Sequence, residues 1–263
     1  MVYGYSKRVI TKLTDIKKNS DDHYNYRDLD FLCKMKKSHT NLCIIFHGAI
    51  SLTTQRPVFR GYDYEINNTD IICISDYLVS KYTDYTVNWT LSSEKYDAEE
   101  IYMELFTYLT QHKKYDKIIF TGSSAGGYPS IKFACKFNSL ALVANSQLYL
   151  EDYGENSTEY GFGKLKYMLG NKGDKIIYKE KQIEDIIFKY PPRHVFIYNN
   201  VDDGTYNRDI VPLKRFVEDN NLNHLFTFNI FKFTKPLPKG KTHHTIHFPE
   251  NSTQLEILKQ ILV

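Results

Sequence analysis

The chain has 263 residues, of which 42% are hydrophobic and 25% charged, a composition typical of a globular protein with a sizeable core. Its formal net charge is only +3, and basic and acidic residues are mixed along the whole chain, which argues against a nucleic-acid partner. No apolar run approaches the ~18 residues of a transmembrane helix, and the N-terminus lacks the apolar stretch of a signal peptide.

Short apolar segments rich in β-branched and aromatic residues alternate with longer segments of helical periodicity. The predicted strands are Leu42–Phe46, Ile71–Ser75, Lys117–Thr121, Leu140–Ala144, His194–Tyr198 and Leu225–Phe231. The predicted helices are Ala98–His112, Gly126–Phe137, Lys181–Lys189, Asp209–Asn220 and Ser252–Leu262. Because apolar strands separated by helices are typical of βαβ units, we predict an α/β fold with a mainly parallel sheet, flanked by helices on both faces. The more polar first forty residues are expected to form edge strands.

The chain shows no internal repeat, linker or low-complexity tract, so we predict a single domain over residues 1–263. The segment 151–181 contains five glycines and no clear strand, and it lies between two predicted strands. In a sheet of this type such an insertion lies over the carboxyl ends of the strands, where it can act as a lid.

The cysteines indicate a reducing compartment. Cys33, Cys43, Cys73 and Cys135 occur singly, without a CxxC pair or the spacing of metal ligands. Cys43 and Cys73 lie within apolar runs, where a free thiol packs as a small hydrophobic group. Together with the missing secretion signal, this pattern predicts a cytoplasmic protein.

The strongest local motif is the segment 118–127, which fits G-x-S-x-G through Gly122, Ser124 and Gly126. It follows a predicted buried strand and precedes a predicted helix. A nucleophilic serine needs small neighbours, because the backbone must turn sharply there to project the serine oxygen. A glycine-rich turn that merely opens a helix would share the five residues, but the strand–turn–helix context favours Ser124 as a nucleophile.

The predicted strand Leu42–Phe46 is followed directly by His47, Gly48 and Ala49. In this architecture such a loop supplies a backbone N–H to the oxyanion of an acyl-transfer intermediate. We expect that donor at Ala49, next to Gly48, and the second at the N–H of Ala125. The ring of His47 is expected to brace the loop and to take no catalytic part.

The general base is expected late in the chain, where the order Ser, Asp, His puts it. Residues 241–249 contain His243, His244 and His247. His244 is the candidate, because His-x-x-His followed by an apolar residue, Pro and Glu resembles the usual hydrolase histidine loop, in which the first histidine of the pair is catalytic. His243 and His247 remain alternatives. No cysteine or carboxylate ligand shares the segment, so we predict no metal site.

The acid that orients the histidine should follow the preceding strand, where Asp202 and Asp203 stand side by side. In the α/β-hydrolase superfamily, which these motifs resemble, the usual spacing is a turn residue, two further residues and then the acid. Counted from Asn200, this spacing selects Asp203, with Asp202 as the alternative. Either carboxylate would hold the imidazole in its productive tautomer and stabilise the imidazolium that forms.

The serine turn Gly122–Gly126 (the elbow), the loop His47–Ala49 (the His-Gly loop) and the acid–histidine order together resemble the α/β-hydrolase superfamily over roughly residues 40–262. A narrower resemblance rests on four segments in one order, residues 122–127, 145–153, 167–170 and 202–203. These resemble the bacterial capsule polysaccharide O-acetyltransferases of the meningococcal serogroup A type. The resemblance implies transfer of acetyl from acetyl-CoA, bound as a co-substrate and not as a resident cofactor, to a glycan hydroxyl through an acetyl-serine. It also implies that the enzyme acts in the cytoplasm, where it takes part in capsule assembly.

Two departures from that family keep other functions open. The His-Gly segment is closer to that of ordinary esterases, and paired histidines replace a glycine-flanked one. A carboxylesterase or deacetylase would use the same triad with water as the acceptor. A non-catalytic binding protein on the same fold is the third candidate, but the intact set of serine, aspartate and histidine argues against it.

Overall fold

The computed structural model describes residues 4–82, 85–153, 176–177, 182–233, 247–250 and 252–263. Within these ranges the strands are β1 Lys7–Ile10, β2 Ser20–Tyr26, β3 Leu29–Met35, β4 Asn41–Phe46, β5 Thr69–Ile74, β6 Ser92–Ser93, β7 Lys117–Ser123, β8 Leu140–Ala144, β9 Ile176–Ile177, β10 His194–Asn200 and β11 Phe226–Phe231. The α-helices are α1 Tyr77–Lys81, α2 Ala98–His112, α3 Gly127–Lys136, α4 Ile183–Lys189, α5 Val211–Asp219 and α6 Gln254–Leu262.

Nine of these strands form one sheet in the order β1-β2-β3-β5-β4-β7-β8-β10-β11. From β5 to β11 all neighbours are parallel, whereas β3 is antiparallel to both β2 and β5. The register aligns Phe46 with Gly122, and it aligns Ala144 with both Ser123 and Tyr198. The carboxyl ends of β4, β7, β8 and β10 therefore meet at one edge. The predicted parallel sheet and the predicted N-terminal edge strands are both confirmed.

The central strands are mostly apolar because the sheet is covered on both faces. Every residue of β4 and β5 is buried. Along β4, Ile44 and Phe46 belong to one apolar core, whereas Cys43 and Ile45 belong to the other. This alternation is the period of two of a strand. The first core is packed by residues of α1–α5, and the second by α6 and residues of the segment 59–66.

The predicted elements differ from the observed ones mainly at their ends. The first two residues of the predicted helix Asp209–Asn220 belong to a π-helical turn, Tyr206–Ile210, and α5 begins only at Val211. The last helix begins two residues later than predicted, because Thr253 and Glu256 form a capping box that fixes its first turn. Strand β10 extends two residues beyond the predicted end, to Asn200.

The lid predicted at 151–181 lies largely outside the described residues, so it stays a prediction, as does the single-domain assignment. All four cysteines are free and buried. Across the described ranges, no helix has the length and the apolar character that crossing a membrane requires.

Candidate active site

Ser124 lies at the turn between β7 and α3, as the motif predicted. Its backbone is left-handed, with φ of +55°, and a 3-10 turn over Ser124–Gly126 leads directly into α3. A non-glycine residue in this conformation costs roughly 1–2 kcal/mol. Such strain persists only where the surrounding structure enforces it, and it is concentrated at functional sites.

The glycines of the motif are required by close contacts of the turn. A Cβ on Gly122 would lie 2.5 Å from the carbonyl oxygen of Gly126, and one on Gly126 would lie 2.8 Å from that of Phe46. A Cβ on Gly127 would lie 2.1 Å from the Oγ of Ser146. The turn is therefore packed between the end of β4 and the segment that follows β8, which explains why the motif has this spacing.

The His-Gly loop passes directly against the nucleophile turn. A Cβ on Gly48 would lie 2.9 Å from the carbonyl oxygen of Ser123 and 3.4 Å from the Cβ of Ser124. The next residue, Ala49, is half-buried, and Ala125 is buried at the start of the helical turn. The two backbone segments expected to supply oxyanion donors are thus in contact.

The buried ring of His47 braces this loop, as expected. The N–H of Asp76 donates to its Nε2 over 3.0 Å, so the ring proton is assigned to Nδ1, which donates to the carbonyl oxygen of Gly48 over 2.6 Å. Burial lowers the pKa of His47, which keeps the ring neutral. Because a peptide group is planar, holding the Gly48 carbonyl also fixes the direction of the Ala49 N–H.

The two candidate acids have different surroundings. Asp203 is 5% exposed, and its Oδ1 accepts from the N–H of Thr205 at 2.8 Å and from the Thr205 hydroxyl at 2.6 Å. Asp202 points outward, with a side chain 30% exposed that forms an ion pair with Lys232 at 3.4 Å. A triad acid must be held rigidly to orient an imidazole, and the surroundings of Asp203 meet that requirement.

Asn145, to which sequence reasoning assigned no role, lies between these elements. It follows β8 directly and is 2% exposed. Its Nδ2 donates to Oδ2 of Asp203 over 3.3 Å, and its Oδ1 accepts from the N–H of Asn200 over 3.0 Å. The only sequence signal was its position at the head of the segment 145–153.

The rest of that segment is held by Asp209, a second residue that sequence reasoning missed. Oδ1 of Asp209 accepts from the N–H groups of Leu148 and Tyr149, and its Oδ2 accepts from the Tyr153 hydroxyl. Asp209 is fully buried, and burial raises its pKa. The N–H of Gln147 donates to the carbonyl oxygen of Ser124 over 3.1 Å, which ties the segment to the nucleophile turn.

A third missed feature is the loop that contains the only tryptophan. Trp89 and Thr90 are both left-handed, with φ of +51° and +59°. The Thr90 N–H donates to Asp76, and the Trp89 indole N–H donates to Oε1 of Gln147 over 2.9 Å. The loop therefore connects the His47 brace to the segment after β8.

Of the three candidate bases, only His247 lies within the described residues. His243 and His244 fall in the undescribed stretch 234–246. His247 is half-buried, and the ring of the next residue, Phe248, packs on Tyr198 of β10 at 5.4 Å between centroids. No group of three or more potential metal ligands occurs in the described part of the chain.

No protein-family model and no curated protein sequence matches the chain. Solved structures do match. The capsule O-acetyltransferase of Neisseria meningitidis serogroup A aligns with a TM-score of 0.60 and 16% identity, over 84% of this chain and 89% of that one. Est1E from Butyrivibrio proteoclasticus aligns with a TM-score of 0.53 and 14% identity, over 89% and 91%.

FphF, a fluorophosphonate-binding serine hydrolase of Staphylococcus aureus, aligns with a TM-score of 0.51 and 12% identity, over 80% of this chain and 88% of that one. At such identities the likeness concerns the fold alone. The strand order, the strained serine turn and these neighbours agree, and the chain has the α/β-hydrolase fold.

Proposed function

We propose that the protein is a serine-dependent acyltransferase that moves acetyl from acetyl-CoA to a hydroxyl of a bacterial capsular polysaccharide. The observation that carries acyl chemistry is the strained Ser124 at the carboxyl end of β7, against the His-Gly loop. The buried carboxylate of Asp203 follows β10, two strands away in the same sheet. A nucleophile, an oriented acid and backbone N–H donors are the parts that this chemistry needs.

The base in this proposal is His244. What supports it is the contact of Phe248 with Tyr198, which brings the end of the histidine segment to β10, the strand that precedes Asp203. An imidazole there would receive the Ser124 proton on Nε2 while Asp203 accepts the N–H of Nδ1.

In the first half-reaction, the Ser124 oxygen attacks the thioester carbonyl carbon as His244 takes its proton. The N–H groups of Ala49 and Ala125 stabilise the oxyanion. The carbon–sulfur bond then breaks, and the coenzyme A sulfur leaves with the proton from His244. In the second half, the acceptor hydroxyl gives its proton to His244 and attacks the acetyl-serine, and the proton returns to Ser124.

Two features favour a glycan acceptor over water. The segment 145–153, part of the resemblance to capsule O-acetyltransferases, packs against the nucleophile turn through Gln147. The fold is also similar to that of the serogroup A capsule O-acetyltransferase. Transfer requires that water be outcompeted, which we assign to the predicted lid at 151–181. In this proposal the enzyme acts in the cytoplasm.

The second candidate is a carboxylesterase or deacetylase with the same triad, favoured by the esterase-like His-Gly loop in contact with Ser124. Initial rates measured with labelled acetyl-CoA, with and without a panel of capsular glycans, separate the two. A transferase gives fast label transfer to one glycan class, slow hydrolysis without it, and parallel double-reciprocal lines. Rapid cleavage of acetylated sugars without any reaction with acetyl-CoA would contradict the transferase and support the hydrolase.

A further inference from the structure

The side chain of Asn145 joins the carboxyl ends of two neighbouring strands. Asn145 follows β8, and its own N–H donates to the carbonyl oxygen of Tyr198 in β10 over 2.9 Å. Its side-chain Oδ1 accepts from the N–H of Asn200, the last residue of β10. Its Nδ2 then donates to Oδ2 of Asp203, three residues further on. One buried side chain thus links the end of β8, the end of β10 and the carboxylate.

We propose that Asn145 is a positioning residue for the acid of the triad, an inference that rests on the proposed function. The two carboxylate oxygens of Asp203 are held by different elements. Thr205, in the same turn as Asp203, fixes Oδ1, whereas Asn145, on the neighbouring strand, fixes Oδ2. The Thr205 hydroxyl also contacts Asn199, so the turn is tied to its own strand β10, whereas Asn145 ties the carboxylate to the segment that follows β8.

The chemistry of this position favours asparagine. Its φ of +42° is left-handed, which asparagine tolerates better than most residues. The Asn200 N–H requires an acceptor and the Asp203 carboxylate requires a donor, and a side-chain amide supplies both from one planar group. The same two neighbours fix which end of the amide is oxygen. Aspartate would offer only acceptors and would bring a second negative charge to Asp203.

Asn145→Gly tests the proposal, because glycine keeps the left-handed backbone without strain and removes only the side chain. The matched control is Asn41→Ala. Asn41 is equally buried, and its Nδ2 donates to the carbonyl oxygen of Leu262 over 2.7 Å, but it lies at the amino end of β4, far from Ser124. Both variants lose a buried amide, so both are expected to lose stability in urea unfolding.

The assay follows the burst of p-nitrophenol released from p-nitrophenyl acetate in the first turnover, whose rate constant reports acylation of Ser124 whether the acceptor is water or a glycan. We expect Asn145→Gly to lower the maximal burst rate constant by roughly 10- to 100-fold with little change in the half-saturating substrate concentration, as for a misplaced catalytic group. Asn41→Ala should stay within about twofold of wild type. Equal burst rate constants for the two variants would overturn the inference, whereas a wild-type enzyme that never acylates would overturn the proposed function instead.

Asn145→Asp adds a readout that a purely structural role would not move. A protonated carboxyl group can donate to Asp203 as the amide does, whereas an ionised one cannot. The ratio of Asn145→Asp activity to wild-type activity should therefore rise as the pH falls from 8 to 5, once each profile is corrected for the catalytic-histidine pKa fitted to that same enzyme. A ratio that is flat across this range would contradict the positioning role.

Discussion

The two ends of the parallel sheet use left-handed backbone in different ways. At the amino end, the turns before β5, β8 and β11 contain Asn68, Asn138 and Asn221, each with positive φ. Asparagine tolerates this conformation, so these are ordinary turns. At the carboxyl end, the left-handed residues include Ser124, and Trp89 and Thr90 in the loop beside it, for which the conformation is costly. Backbone strain is therefore found at the carboxyl end of the sheet, where the chemistry is expected, and the asparagine turns at the amino end avoid it.

The partners of buried carboxylates also differ between the two ends of the sheet. At the amino end, Asp70 is fully buried and is paired with Lys113 at 2.7 Å and His39 at 3.0 Å. At the carboxyl end, Asp76 and Asp203 accept hydrogen bonds from backbone, hydroxyl and amide groups. The partners of Asp70 thus include a charged lysine, whereas backbone, hydroxyl and amide donors orient Asp76 and Asp203.

The largest expected effect at the strained end is that of Ser124→Ala. Removing the nucleophile should lower turnover by roughly 10⁴- to 10⁶-fold, because the other triad residues cannot act without it. The urea midpoint should stay near that of wild type, since the hydroxyl is not part of the packed core. Steady-state kinetics and urea unfolding measure both quantities.

The neighbouring serine is the control for this prediction. Ser123 is the last residue of β7 and its carbonyl faces the His-Gly loop. Ser123→Ala should retain most activity, because only backbone atoms of Ser123 make that contact. A reversed order of the two variants would show that the elbow has the other serine as its nucleophile.

The second effect concerns the two adjacent acids. Asp203→Asn should lower kcat by roughly 10⁴-fold, because an amide stabilises the wrong imidazole tautomer. Asp202→Asn should change kcat only a few-fold, since its half-exposed ion pair with Lys232 is of the kind that contributes about 0–1 kcal/mol. Equal losses in the two variants would remove the distinction between a buried, oriented acid and its exposed neighbour.

At the amino end, a substitution should lower the stability of the protein and leave its activity unchanged, and this is the smallest of the expected effects. Asp70→Asn removes the charge that pairs with Lys113 and His39, and should lower the free energy of unfolding by roughly 3 kcal/mol. The activity per folded molecule should stay near wild type, because these residues lie at the other end of the sheet. A selective loss of kcat in this variant would contradict the division between the two ends.

Local patterns account for the features that the sequence predicted well. Six apolar runs predicted the strands from β4 to β11 that build the parallel part of the sheet, because burial on both faces makes the inner strands of such a sheet mostly apolar. The elbow was predictable because backbone atoms lie so close to Gly122 and Gly126 that neither position has room for a Cβ. In β2, the run Ser20–Tyr26 is largely polar, so its strand could be expected only in general terms.

Features that depend on distant side chains were not predictable in this way. Asn145 reaches Asp203, and Asp209 reaches Leu148, across about sixty residues of chain, and no local spacing reveals such contacts. Sequence alone also left Asp202 and Asp203 as alternatives. Their burial differs because the turn after β10 directs the Asp202 side chain outward and the Asp203 side chain inward.

The most direct test of the account is to find where the acyl group is attached. The enzyme is mixed with acetyl-CoA, or with p-nitrophenyl acetate as a second donor, quenched in acid within the first turnover, and digested for peptide mass spectrometry. We predict acetylation of Ser124 in the wild type, none at Ser123, and no adduct in His244→Ala. An acetyl group on any other residue, or wild-type turnover of either donor by Ser124→Ala, would contradict the assignment of Ser124 as the nucleophile.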